Sequence, residues 1–251
     1  KDFKKEYHHD TTDSEKAAAV AATTNGSEIL SVSPNVEVKA PQFSSEDVNA
    51  GLRKLGFSIA NEEVLRSAVA LLCETEKAPM GMLRLSFGDD GNWAAVHLPY
   101  EGSNQPAALM TFQKPISVVG QPVKSYPYSH RLDILNFAKD SGFDEAIIMN
   151  DLGKVCEGSV TNLLVKLDGK WITPPISDGV LPGIMRALVI EYCGVSVKSI
   201  DEADLQRVQS AFLLSSLRIA QPVASIDGRL LEPSPEFGAE IEAMALQTSV
   251  G

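Results

Sequence analysis

Lys124 carries a side-chain amine, a group that can react covalently with a carbonyl group, in this chain of 251 residues. It lies in the segment from Lys114 to Pro127, which contains three prolines and is predicted to be an extended connector. Partial burial there would lower the pKa of the amine, and a neutral amine is the form that attacks a carbonyl group. The alternative is that Lys124 is one more solvated surface lysine.

A predicted helix start at Gly183-Ile184-Met185 suits an anionic group. A helix N terminus presents free amides and the positive end of the helix dipole to a phosphate. Gly183 also lets the backbone approach such a group closely. Ser215 and Ser216 follow a predicted strand and offer hydroxyl groups; the alternative is that they merely cap or turn the chain, which fits Ser215 better than Ser216.

The elements that must position these residues are predicted from hydrophobic periodicity and turn signals. In the second half of the chain, strands are predicted over residues 145–149, 154–156, 162–167, 171–172, 211–214 and 222–226, and helices over residues 131–140, 184–192 and 235–245. Asp168-Gly169 predicts a hairpin and Asp227-Gly228 a turn. Gly142 is a good left-handed cap for the first of these helices.

The first half is less regular. Residues 1–27 are polar with little apolar periodicity, and part of this stretch is interpreted as a loosely held arm, with a short helix over residues 17–22 as the alternative. Strands are predicted within 28–38, 82–87, 93–98 and 109–112, and helices over 45–55 and 62–72. We therefore predict a two-domain α/β (α+β) protein. Its parts are a small N-terminal α/β domain (residues 1–117), an interdomain connector (118–127) and a larger domain that carries the chemistry (128–251).

Composition excludes several classes of partner. Acidic residues outnumber basic ones, 33 against 22, which argues against a nucleic-acid or anionic-membrane surface because either would need a basic stripe. No apolar run approaches the roughly 20 residues that cross a bilayer, and the polar start does not resemble a signal peptide. Three scattered cysteines and four histidines predict neither a disulfide framework nor a metal site, so a cytoplasmic protein is expected.

The stretch from Lys124 to Arg186 resembles the class IV aminotransferases. These are fold type IV pyridoxal-phosphate enzymes, which include branched-chain and D-amino acid aminotransferases and aminodeoxychorismate lyase. Four pieces match in order and together cover about half the chain: Lys124-Ser125 with Glu145 21 residues later, Gly153 to Ser159 followed by Asn162, Thr173 to Arg186, and Ser215-Ser216 ahead of Gln221-Pro222-Val223. The resemblance implies pyridoxal 5′-phosphate as cofactor, a small-molecule amine or amino acid as substrate, and a homodimer.

The resemblance also implies roles for single residues. Lys124 would bind the cofactor covalently and move a proton, and Glu157 would pair with the pyridine nitrogen so that the ring can accept electrons. An N-cap or an exposed turn carboxylate is the alternative for Glu157. Tyr128 would lie against the phenolic oxygen of the cofactor, with a core aromatic as the alternative.

For the cofactor phosphate, the resemblance implies the amides of Ile184 and Met185, reached past Gly183, together with the hydroxyl groups of Ser215 and Ser216. The first half departs from this pattern. Relatives carry a phosphate-binding arginine at the position of Asp47, where an acid would repel phosphate. This departure supports a non-catalytic relative as one hypothesis, and the intact Lys124 and Glu157 argue against it.

Two reactions are open within the resemblance. The first is a lyase reaction that converts 4-amino-4-deoxychorismate to 4-aminobenzoate and pyruvate in folate synthesis. The second is transamination of branched-chain or D-amino acids. The short chain, Met185 where many transaminases have threonine, and the sequence Ser215-Ser216-Leu217-Arg218 favour the lyase.

Overall fold

The computed structural model describes residues 30–32, 40–41, 63, 81–87, 93–100, 102, 105–116 and 129–250. Among the sequence predictions, Lys124, Tyr128, Asp47 and the arm over residues 1–27 lie outside the described residues. The helices predicted over residues 45–55 and 62–72 do so as well, apart from Glu63, which is helical.

The chain divides into two compact units. The first comprises Lys1–Glu101, Val123–Tyr128 and Gly251, and the second comprises Gly102–Pro122 and Ser129–Val250. Helices and strands both occur, so the predicted α/β class is confirmed. The domain boundary expected at residues 118–127 stays a prediction, because residues 117–128 lie outside the described part of the chain.

The first unit contains an antiparallel sheet of three strands in the order β1-β3-β4. These strands are β1 (Leu30–Val32), β3 (Gly81–Phe87) and β4 (Trp93–Pro99), and a short strand β2 (Ala40–Pro41) lies between β1 and β3 in the chain. Every residue of β3 pairs with a residue of β4, from Gly81 opposite Pro99 to Phe87 opposite Trp93. The strands predicted over residues 82–87 and 93–98 are therefore confirmed.

The second unit is built on a mixed sheet of nine strands in the order β10-β9-β8-β11-β12-β5-β6-β7, with β13 paired to β12. The strands are β5 (Ala107–Thr111), β6 (Glu145–Met149), β7 (Val155–Gly158), β8 (Asn162–Leu167), β9 (Lys170–Thr173), β10 (Ser196–Val197), β11 (Ser210–Ser215), β12 (Ile219–Ile226) and β13 (Arg229–Leu230). Strand β5 runs parallel to both of its neighbours, β12 and β6. A last short strand, β14 (Ser249–Val250), ends the described chain.

Three helices of the second unit bury apolar faces. They are α1 (Ser129–Asp140), α2 (Ile184–Tyr192) and α3 (Pro235–Thr248), and two short 3-10 helices cover Ile176–Asp178 and Glu202–Arg207. Helix α1 packs on β6 through Ile134 and Ala138, whereas α2 and α3 share a separate cluster with Phe212 of β11. None of the helices in the described ranges is long and apolar enough to cross a membrane.

Tight turns occur where Asp-Gly pairs predicted them. Asp168 and Gly169 have φ angles of 49° and 76° between β8 and β9, and Asp227 and Gly228 have 49° and 78° between β12 and β13. Both residues of a type I′ hairpin turn need positive φ, which aspartate tolerates and glycine adopts freely. Gly142 has φ 84° after α1, as expected for a left-handed cap.

Candidate active site

Glu157 is buried on β7 and accepts hydrogen bonds from three sides. Arg131 of α1 donates through Nη2 to Oε1 (2.8 Å). The Asn162 side-chain amide (2.8 Å) and the Leu181 backbone N–H (3.0 Å) both donate to Oε2. Glu157 is only 3% exposed, so the interpretation of this residue as an exposed turn carboxylate is wrong.

Two opposing effects set the ionisation of Glu157. Burial raises the pKa of its carboxyl group above the ordinary value, because a charge loses hydration there. The Arg131 guanidinium acts most strongly in the other direction, followed by the hydrogen bonds from Leu181 and Asn162. Arg131 is itself largely buried, with 16% of its side chain exposed, so solvent screens this ion pair little.

Asn162 joins Glu157 to the segment that leads into α2. Its side-chain Nδ2 donates to Glu157 Oε2 and also to the carbonyl oxygen of Leu181 (2.9 Å). A Cβ atom on Gly183 would overlap Asn162 Oδ1. Glycine is therefore needed at position 183 to allow this close packing.

The N terminus of α2 presents backbone amides without a capping side chain. Gly183 is the N-cap residue, and no side chain accepts a hydrogen bond there. The first hydrogen bond of the helix runs from the Ala187 N–H to the Gly183 carbonyl oxygen (3.0 Å). The amides of Ile184 and Met185 precede that bond, as expected for the first turn of a helix. The Met185 side chain is buried in the core between α2, α3 and the sheet, which fixes this turn.

The two candidate serines at the end of β11 differ. Ser215 Oγ accepts a hydrogen bond from the Arg218 backbone N–H (3.1 Å), so this hydroxyl shapes the turn. Ser216 is 8% exposed and its hydroxyl has no hydrogen-bond partner among the described residues. Of the two, Ser216 is the one whose hydroxyl group remains available.

Glu145 braces the loop after β7 against the turn that carries these serines. Its Oε1 accepts hydrogen bonds from the Val160 N–H and the Thr161 hydroxyl, both at 2.8 Å. Its Oε2 pairs with Arg218 Nη1 at 2.6 Å. Glu145 is fully buried, and through these contacts it holds the loop after β7 and the turn after β11 together.

Three other buried side chains lie near Glu157 in the chain or the fold. Ser159 Oγ is buried without a hydrogen-bond partner in the described residues. Burial raises the pKa of the Cys156 thiol to about 12, which makes this thiol a poor nucleophile. Arg186 donates through Nη2 to the Pro174 carbonyl oxygen (2.7 Å), so it holds the segment before α2.

The structure thus brings together most of the candidate residues of the second unit. Glu157 and the Gly183-Ile184-Met185 turn meet around Asn162, and Leu214, just before Ser215 and Ser216, pairs with Asn162 in the sheet. Lys124 and Tyr128 lie outside the described residues, and their roles stay predictions.

Sequence reasoning did not select Arg131, Asn162 or Arg218 as site residues. Asn162 follows the matching piece Gly153 to Ser159, and this position in the motif is the sequence feature that could have identified it. Arg131 and Arg218 have no spacing signal, because their partners are distant in sequence. Within the described ranges, no three His, Cys, Asp or Glu side chains are grouped so that they could hold a metal ion.

Comparison with known proteins adds a family match. The model of the family described as amino-transferase class IV matches residues 50–226. The "Putative branched-chain-amino-acid aminotransferase" of Methanocaldococcus jannaschii is 31% identical over 122 residues, which are 47% of this chain and 42% of that protein. The match therefore spans less than half the length of this curated relative.

Solved structures share the fold at low identity. A "Putative 4-amino-4-deoxychorismate lyase" from Legionella pneumophila superposes with a TM-score of 0.78 at 20% identity, covering 88% of this chain and 90% of that one. A "hypothetical aminotransferase from Mycobacterium tuberculosis, PLP-bound form" gives 0.78 at 18% identity, covering 95% and 93%. At such identities the likeness concerns the fold alone.

Proposed function

This chain belongs to the amino-transferase class IV family, and we propose that it binds pyridoxal phosphate at Glu157 and acts on a small-molecule amine or amino acid. The family match covers residues 50–226, which is well over half of the 251 residues. Enzymes of this family depend on pyridoxal phosphate.

The observation that carries the proposal is the hydrogen bonding of the buried Glu157. An ionised carboxylate offers about four acceptor positions. The described residues use three of them, two on Oε2 and one on Oε1. The remaining position on Oε1 suits one further N–H donor, which the protonated pyridine nitrogen of the cofactor would supply.

The donor set at the start of α2 suits the phosphate of the same cofactor. The Ile184 and Met185 amides lie in the uncapped first turn, and the Ser216 hydroxyl has no partner among the described residues. Amides, a hydroxyl group and a helix dipole together bind a phosphate dianion well. Ser215 shapes the turn that carries Ser216.

Bound pyridoxal phosphate supplies an aldehyde that captures an amine and a ring that withdraws electrons from it. Glu157 would hold negative charge beside the ring nitrogen and so keep that nitrogen protonated. Lys124 would provide the amine that attaches the cofactor and then carries a proton to and from the substrate. Tyr128 would lie against the phenolic oxygen of the cofactor.

As the reaction we propose elimination of pyruvate from 4-amino-4-deoxychorismate, a step of folate synthesis. The carbon–oxygen bond to the three-carbon side chain breaks, Lys124 transfers the protons, and the ring becomes aromatic as 4-aminobenzoate. Met185 supports this choice, because it stands where many transaminases have threonine and its buried side chain offers no hydroxyl group to the phosphate. Aromatisation drives the reaction, so no amino acceptor is needed.

Transamination is the second candidate, and the curated relatives favour it. The Methanocaldococcus jannaschii relative is named as a branched-chain-amino-acid aminotransferase, and its match includes no more than 47% of this chain. Under this alternative, the same residues would hold the cofactor while an amino group passes to a keto acid.

Cofactor binding is tested by the visible absorbance of the purified protein with added pyridoxal phosphate. The wild type is expected to form a protein-bound band that borohydride fixes covalently, and Lys124→Ala is expected to lack it. Lys139→Ala, which removes an exposed lysine near the end of α1, is the control and should keep the band. A band in Lys124→Ala would contradict the role of Lys124, and the absence of a band in both proteins would favour a non-catalytic relative.

The reaction is tested by measuring pyruvate from 4-amino-4-deoxychorismate without any keto acid. Release of pyruvate with equimolar 4-aminobenzoate is the result expected of the lyase. Amino transfer from leucine or a D-amino acid to 2-oxoglutarate, with no pyruvate release, would replace the lyase by the transaminase.

A further inference from the structure

Arg131 contacts the carboxylate that the proposed function assigns to the pyridine nitrogen. Its Nη2 lies 2.8 Å from Glu157 Oε1, and its Nη1 lies 3.5 Å from the Gly158 carbonyl oxygen. Arg131 is in the first turn of α1, whereas Glu157 is on β7. The contact thus joins a helix to the strand that carries the candidate site.

A buried carboxylate needs such a partner. Removing a carboxylate from water favours the neutral acid, and a nearby cation with good hydrogen bonds opposes this effect. A neutral Glu157 would have a proton of its own and could not hold the pyridine nitrogen in its protonated form. The charge state of Glu157 therefore decides whether the site suits the cofactor.

We propose that Arg131 is a positioning residue that keeps Glu157 ionised and fixes its Oε1 for the pyridine nitrogen of the cofactor. The proposal rests on the proposed binding of pyridoxal phosphate. Arg131 does so from the edge of the carboxylate that faces α1, while Asn162 and Leu181 hold the other oxygen. The described residues leave one acceptor position on Oε1 unused beside the guanidinium.

The other charged groups near Glu157 act more weakly. Arg186 of α2 interacts with Glu157 electrostatically, but its guanidinium donates a hydrogen bond to the Pro174 carbonyl oxygen. The neighbouring Cys156 has a thiol whose pKa is raised to about 12, so it is neutral, and the Asp178 carboxylate acts on that thiol. Asn162 and the Leu181 amide are uncharged. Arg131 is thus the cation in direct contact with Glu157 among the described residues.

The first measurement needs no cofactor. The Glu157 carboxyl carbon is titrated by ¹³C NMR in the full chain, and its signal is assigned by its loss in Glu157→Gln. We expect Arg131→Gln to raise the midpoint by about one pH unit or more, because it removes the cation while keeping a donor. Arg131→Lys keeps the charge, so the midpoint of Glu157 in this variant should lie between those in the wild type and in Arg131→Gln. Arg207→Gln, which breaks exposed ion pairs to Asp168 and Asp204, is the control and should leave the midpoint unchanged.

The second measurement is the Kd of pyridoxal phosphate from the absorbance band, across the pH range. Arg131→Gln is expected to bind on the order of tenfold more weakly near neutral pH. The defect should shrink as pH rises, because alkali restores the Glu157 carboxylate without the help of arginine. A defect that is the same at every pH, or an unchanged midpoint of Glu157, would overturn the proposal.

The two measurements distinguish failure of the role given to Arg131 from failure of the proposed binding of pyridoxal phosphate. If the wild type binds no pyridoxal phosphate, the function fails, while the titration of Glu157 still tests the ion pair. If Arg131→Gln does not fold, the double variant with Glu157→Gln decides, because it also removes the unpaired buried charge. Recovery of folding in the double variant is expected, and persistent failure to fold would assign Arg131 a packing role only.

Discussion

Asn162 fixes the distance between the Glu157 carboxylate and the segment that leads into α2. One side-chain nitrogen serves both Glu157 Oε2 and the Leu181 carbonyl oxygen, while its oxygen packs against the Gly183 backbone. A small displacement of this amide would change the carboxylate and the approach to α2 together. The fit at Gly183 is therefore a condition for the geometry around Glu157.

Gly183→Ala is predicted to weaken both stability and cofactor binding. The added methyl group would overlap Asn162 Oδ1 and push the amide away from Glu157. Such overpacking costs about 1–3 kcal/mol. Urea unfolding checks the stability, and the Kd of pyridoxal phosphate checks the site.

Gly238→Ala on α3 is the matched control for this substitution. There the nearest atom to a new Cβ is Phe212 Cε1 at 3.2 Å, which a slight ring movement accommodates. Alanine also favours a helix over glycine by about 1 kcal/mol, so the net change should be small. Equal losses in the two variants would contradict the role given to Asn162.

For single residues, the sequence indicates which ones are candidates for the site better than it indicates which contacts they make. Glu157 and Met185 were found from motif order, and the structure buries both. The contact between Arg131 and Glu157 could not be predicted, because 26 residues separate them and only the packing of α1 against the sheet brings them together. Burial is likewise a property of the folded chain, so the sequence alone does not distinguish a buried Glu157 from an exposed one.

Among the elements, α3 is attached to the sheet through aromatic rings. Phe237 of α3 stacks on Trp171 of β9, with ring centroids 4.3 Å apart and an interplanar angle of 8°. Phe212 of β11 lies 6.3 Å from Phe237. The same apolar cluster includes Met185, so α3 supports the turn at the start of α2.

Phe237→Ala is predicted to destabilise the second unit by about 2–4 kcal/mol, from the lost apolar area and ring contacts. Leu246→Ala on the same helix is the control, because Leu246 is 63% exposed and its loss should cost less than about 0.5 kcal/mol. Urea unfolding followed by Trp171 fluorescence, in a Trp93→Phe background, measures both. Similar costs in the two variants would show that α3 does not depend on the aromatic cluster.

Element boundaries in the second half followed from local sequence wherever a strong signal existed. The strands over residues 145–149 and 162–167 and the helix over residues 184–192 are confirmed residue by residue. Strands β10 and β13 were not predicted, because two residues carry too little periodicity to be recognised. The parallel pairing of β5 with β12 could not be predicted either, because the residues of a strand do not determine which strands pair with it.

Across the whole molecule, the buried Glu157 is expected to make stability depend on pH. Its folded pKa is raised above the ordinary 4.5, so between these two values the folded chain binds more protons than the unfolded chain. The contribution of Glu157 to stability is complete below the ordinary value and falls as pH rises through the raised one.

Replacing Glu157 by glutamine is predicted to remove this pH dependence. The free energy of unfolding of the wild type minus that of Glu157→Gln should decrease as pH rises above about 4.5. Urea unfolding of both proteins at a series of pH values, without cofactor, gives this difference. A difference that is constant or grows with pH would mean that the carboxyl group is not shifted upwards.

Strand β5 leaves the ribosome long before one of its two neighbours exists. Thr111, at the end of β5, is bound by Asp227 in the turn after β12, and 116 residues separate them. At about 5–20 residues per second, translation needs on the order of ten seconds to cover that length. Ala107 and Leu109 are buried in the finished sheet, so during this interval the nascent chain presents an apolar strand with one unpaired edge. Exposed apolar surface and an unpaired strand edge make a chain prone to aggregation at this stage, which is the condition that chaperones counteract.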